Sequence, residues 1–101
     1  MKPLIIVPVK IGDMEFVIRY SNKAFYMYIT NPRELDNYDL TVNYLYDLAK
    51  IGMKSEGKEF AYSFEEFSDL IDPYSDAMEI MMAAIQKLSG DEGDKKKMKG
   101  K

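Results

Sequence analysis

The stretch around Gly12 constrains this chain more than any other. Leu4 to Val9 is a short apolar run with strand character, and from Met14 to Tyr20 the residues Met14, Phe16, Ile18 and Tyr20 alternate with Glu15, Val17 and Arg19. That period of two is the pattern of a strand with one buried face. Between the runs sits Lys10-Ile11-Gly12-Asp13. A glycine followed by aspartate suits a two-residue type II′ turn, which predicts an antiparallel hairpin. Pro8 lacks an amide hydrogen, so the first strand belongs at an edge or carries a bulge. Two strands alone are marginal in water, so other segments must cover the hairpin's apolar face.

Four helical segments can do so. Ser21 or Asn22 can cap a helix through Lys23 to Ile29, which Asn31-Pro32 ends, because the residue before a proline avoids helical geometry. A second helix starts near Asp36 or Asp39 and runs to about Lys54. On it Leu40, Tyr44, Leu48 and Ile51 form one stripe, and Val42, Leu45, Tyr46, Ala49 and Met53 form an apolar zone beside it. A helix apolar over so much of its circumference is central in a domain or meets a partner. After a loop around Gly57, Ser63-Phe64-Glu65-Glu66 is a capping box that opens a short helix ending at Asp72-Pro73. Ser75 or Asp76 then caps a last helix to about Leu88, with Met78, Met81, Met82, Ile85 and Leu88 at helical spacing and Gly90 suited to the position after it. The fold expected is α+β: an N-terminal β-hairpin packed on about four short helices. Residues 1–90 form the single domain, and 91–101 a disordered lysine-rich tail.

Composition narrows the chemistry. With 101 residues there is room for one domain. Cysteine and histidine are both absent, which removes disulfides, thiolate ligands, the commonest general base and the commonest metal ligand. Catalytic triads are excluded and zinc is disfavoured. The lack of cysteine suits a reducing, cytoplasmic setting. No apolar run approaches the roughly 20 residues of a membrane span, and no signal peptide is visible. Residues 1–90 carry a net charge of −5 and residues 91–101 of +2. An acidic body does not favour nucleic acid, so contact with phosphate would fall to Lys95-Lys96-Lys97, Lys99 and Lys101.

No catalytic, cofactor or metal site is expected. Glu65, Asp69 and Asp72 share a helical face, but that face lies opposite Phe64, Phe67 and Ile71 and reads as solvated. Asp72 to Asp76 fails as a calcium loop, because Ala77 stands at the glycine position and Ala83 at the bidentate glutamate. Isolated glycines make no phosphate-binding loop. The aromatic and methionine residues say more. Tyr20, Tyr26, Tyr28, Tyr44 and Tyr46 cluster around the first two helices. Tyrosine combines contact area with a polar end, and methionine re-packs against irregular partners. Both residue types also serve as plain core in small domains. The candidate partner-binding residues are Tyr44, Tyr46, Met78, Met81, Met82 and Ile85.

Several short motifs occur in a suggestive order. A hairpin ends in Phe16-Val-Ile18-Arg-Tyr20-Ser21-Asn-Lys23-Ala24, and a central helix carries Leu45-Tyr46-Asp-Leu48-Ala49-Lys-Ile51-Gly52. A capped acidic helix reads Tyr62-Ser63-Phe64-Glu65-Glu66-Phe67-Ser-Asp69-Leu70-Ile71-Asp72, followed by an amphipathic helix and a lysine-rich end. Over roughly residues 10–101 this order resembles the tail assembly chaperones of long-tailed, siphovirus-type bacteriophages. The resemblance implies a non-enzymatic protein of the host cytoplasm that binds the tape measure protein, a long helical chain, and keeps it soluble while the tail tube polymerises. It also implies a longer frameshifted form that recruits the tail tube protein, with Lys95 to Lys97 marking an A-rich slippery site. The long first strand with Pro8 departs from the pattern. The rival readings are a small nucleic-acid-linked regulator working through the lysine tail and a minor head–tail structural protein.

Overall fold

The computed structural model describes residues 6–88. Its order is β1 (Ile6–Ile11), β2 (Met14–Arg19), α1 (Asn22–Thr30), α2 (Asn37–Ser55), α3 (Phe64–Ile71) and α4 (Ala77–Leu88), an α+β fold. The hairpin's inner face, Val7, Val9, Ile11, Phe16 and Ile18, is buried on the helices, with α2 against β2 and α4 against β1. Gly90 and the lysines from Lys95 onward lie outside the described residues.

The antiparallel register is regular, from Ile6↔Arg19 through Pro8↔Val17 to Ile11↔Met14. The first strand runs on to Ile11, past the predicted end at Val9, because a two-residue turn consumes only Gly12 and Asp13. Gly12 has φ +60°, while Asp13 is not among the positive-φ residues, which is the φ signature of the predicted type II′ turn. Residues flanking such a turn form the first hydrogen-bonded pair, and alternation then puts Pro8↔Val17 at a non-hydrogen-bonded site. The Pro8 nitrogen therefore faces away from β2 and costs the ladder nothing. Pro8 lies in an edge strand, with no bulge.

Helix boundaries follow from side-chain oxygens. Ser21 Oγ accepts from the Ala24 amide at 3.2 Å, and Asp36 Oδ1 from the Asp39 amide at 2.8 Å. Ser63 and Glu66 make both halves of the capping box, at 3.1 and 2.9 Å. The end of α1 differs from expectation. Asn31 is left-handed, at φ 45° and ψ 58°, rather than extended. Its amide side chain accepts from the Leu35 amide at 2.8 Å and donates to the Leu35 carbonyl at 2.9 Å, closing the turn into α2. Asparagine tolerates this backbone region because its short polar chain bonds locally. At α4 no side-chain cap forms from Ser75 or Asp76; the ladder begins with the Asp76 carbonyl accepting from the Ile80 amide.

The centre of the domain is α2, where Val42, Leu45, Leu48 and Ala49 have no exposed surface. Gly52 lets this helix touch the sheet backbone: a Cβ there would collide with the Val17 carbonyl and the Ile18 backbone. The last helix corrects the sequence reading. Its buried stripe is Ala77, Met81, Ala84 and Leu88, rotated from the predicted one, with Met78 and Ile85 half-buried and Met82 exposed. With α4 packed on β1, Ala77 and Ala84 are buried beside Met81 and Leu88, and Met82 falls on the outward side.

Candidate protein-binding surface

Two aromatic groups occupy opposite sides of α2. On the α1 side, Tyr28 stacks on Tyr44 with centroids 4.5 Å apart and planes 20° apart, and Phe25 touches both. Tyr44 is buried, and its pKa is pushed up to about 12, first by burial and then by its neighbours Tyr20 and Tyr28. On the α3 side, Phe16, Tyr46, Phe60 and Phe67 form a closed set with centroids 5.6–5.9 Å apart. The Tyr46 hydroxyl donates to the Tyr62 carbonyl, and Lys50 Nζ lies 5.4 Å over the Tyr46 ring. This hydrogen bond and the packing of Phe60 on Tyr62, at 5.1 Å, fix the segment that leads into α3.

The six sequence candidates therefore separate. Tyr44, Tyr46 and Met81 are core residues, Met78 and Ile85 are half-buried, and Met82 alone stands open at 50% exposure. Tyr44 and Tyr46 are partner-binding candidates by sequence, but α1 covers the first and α3 the second.

The exposed large side chains lie elsewhere. On α1, Phe25, Tyr26 and Ile29 stand exposed, with Ile29 at 59%. Between the hairpin turn and α3 lies a groove of about 300 Å³ lined by Ile11, Asp13, Met14, Tyr62, Leu70 and Tyr74. Tyr62, Leu70 and Tyr74 are each more than a third exposed. The Tyr74 ring lies directly over Gly12, in the space a Cβ would fill. Tyr62, Leu70 and Tyr74 escaped the sequence reading. The trace they left is that Leu70 falls outside the Phe67/Ile71 stripe of an otherwise regular amphipathic helix.

Polar side chains serve the fold. Asn43, buried on α2, accepts from Arg33 at 3.1 Å. Asp47, one turn on, has its pKa raised by burial against the lowering influence of Arg33 and Lys50. Among the described residues no group of three acidic side chains is placed to hold a metal ion, Glu65, Asp69 and Asp72 included, and no helix is long and apolar enough to cross a membrane. No protein-family model matches this chain, and neither does any curated protein or solved structure.

Proposed function

We propose that this chain is a non-enzymatic tail assembly chaperone, acting in the cytoplasm of a phage-infected cell to bind and solubilise the tape measure protein. The family name rests on the sequence resemblance. The observation that carries the binding role is a surface property: nine large apolar or aromatic side chains stand exposed among the described residues of a small, acidic domain. Three of them, Tyr62, Leu70 and Tyr74, line one groove rather than standing singly, and grouped apolar exposure suits a partner. An acidic exterior keeps such a domain soluble while apolar side chains hold a helical client. In this reading a longer frameshifted form would add the part that recruits the tube protein.

Co-expression with the tape measure protein of the same phage tests this. Its soluble yield should rise and the two chains should co-purify; unchanged yield with no co-purification rejects the reading. Met82→Asp places a charge on an open position of α4 and should lower the yield without unfolding the domain, if this helix takes part.

A further inference from the structure

We infer that the groove between the Gly12–Asp13 turn and α3 seats a basic amphipathic helix of the partner protein. This rests on the protein-partner reading above and names the face and the chemistry that would recognise it.

The groove is built before any partner arrives. Ile11, fully buried, lies at its floor beside the half-buried Met14, and Tyr62, Leu70 and Tyr74 form the walls. The Tyr46 hydroxyl holds the Tyr62 carbonyl, and the capping box fixes the start of the helix that carries Leu70. Tyr74 is held over Gly12, and its amide donates to the Ile71 carbonyl at 3.1 Å. Three large side chains thus converge on one hollow with their support already in place. A hollow of this size takes about two apolar side chains one helical turn apart, which is how an amphipathic helix enters a groove.

Charge selects the occupant. From Glu59 to Gln86 the chain has seven acidic residues and no lysine or arginine. Asp13 lines the groove directly, and the segment that carries Tyr62, Leu70 and Tyr74 is acidic throughout. The nearest base in the hairpin, Lys10, is on the opposite face and pairs with Glu15 at 3.8 Å. An apolar hollow with Asp13 at its edge, in a segment that is acidic and without lysine or arginine, complements a helix with leucine-like residues on one face and lysine or arginine beside them. The same charge balance repels phosphate backbones and anionic lipid. The α1 patch carries only Lys23 among its charges, so no acidic side chain of that helix selects a basic occupant there.

The probe is a synthetic Leu/Lys amphipathic helical peptide of about 18 residues, long enough for five turns. A scrambled peptide of the same composition and a Leu/Glu counterpart serve as comparisons. Titration into ¹⁵N-labelled protein should shift the amides of Asp13, Tyr62, Leu70 and Tyr74. Leu70→Lys should weaken binding at least about tenfold, the equivalent of 1.4 kcal/mol. Ile29→Lys should leave affinity within about twofold, and both variants should melt near the parent because both positions are exposed. Equal binding of the scrambled peptide, shifts confined to α1, or full affinity in Leu70→Lys would each overturn the inference. The co-expression assay separates the two readings. If Leu70→Lys still solubilises the tape measure protein, the groove is the wrong face and the chaperone reading stands. If the groove takes the peptide while the parent protein fails to solubilise the client, the chaperone reading falls and the groove remains.

Discussion

Tyr44 and Tyr46 lie two positions apart on one helix, yet they belong to aromatic groups that meet water differently. Tyr46 sits in a closed set with Phe16, Phe60 and Phe67, and its hydroxyl is given to a backbone carbonyl. Tyr44 stacks on Tyr28 beneath the partly open Phe25, and burial with two neighbouring phenols holds its proton. The first group is a support, because what it braces is the wall of the groove. The second is a cover, because α1 lies over α2 and shows its remaining apolar side outward. Identical residues on one helix thus take opposite parts according to which element lies above them.

The comparison can be broken most directly at Phe67, which has no exposed surface. Phe67→Ala should cost about 3–5 kcal/mol in urea unfolding, and Phe25→Ala on the cover side much less. Equal losses would mean that both groups are core. Tyr46→Phe is a finer cut. It removes one donated hydrogen bond and leaves the Tyr62 carbonyl without it, so a loss of about 1 kcal/mol is expected. Faster hydrogen exchange at Tyr62 and Ser63, but not on α1, would place the effect.

Tyr44→Phe should change little at neutral pH and act in alkali. The folded pKa of about 12 lies above the ordinary tyrosine value of 10.0. Below pH 10 tyrosine is protonated in both states, so no stability depends on its titration. Between pH 10 and 12 the unfolded chain releases the proton while the folded one keeps it, and stability falls. Urea midpoints at pH 9, 10 and 11 should therefore fall more steeply in the parent than in Tyr44→Phe; parallel curves would refute the assignment. The smallest effect is expected on the open side of the cover, where Ile29→Lys should shift stability by no more than about 0.5 kcal/mol.

Much of this architecture was legible because its determinants are local. The turn glycine and the Ser21, Asp36 and Ser63 caps each act within a few residues, and each lies where the pattern put it. Both helices before a proline end where expected, but not through an extended residue: Asn31 is left-handed, and Asp72 keeps right-handed helical geometry at φ −56° and ψ −39°. Asn31 shows where local reasoning stopped: its side-chain ring to Leu35 outweighs the usual extended preference before proline. The binding candidates were harder to read, since exposure is set by neighbours distant in sequence. Periodicity gave Met78, Met81, Met82 and Ile85 one stripe, but the buried stripe is Ala77, Met81, Ala84 and Leu88, which keeps Met81 and turns Met82 out. The groove needs Asp13, Tyr62 and Tyr74 together, and no spacing rule joins them.

The contact of α4 with β1 has a consequence for biosynthesis. Hairpins close in microseconds, so β1 and β2 can pair soon after they leave the ribosome. Their inner face is completed only by α4, the last element of the described chain. At about 5–20 residues per second, roughly four to fifteen seconds pass between synthesis of Ile11 and of Leu88. During that interval Val7, Val9 and Ile11 have no α4 to lie against, and the nascent hairpin is a substrate for the cell's own folding factors. A stall in translation anywhere between β2 and α4 would lengthen that exposure, so yield should depend on elongation rate over the codons between Arg19 and Ala77 more than over those before them.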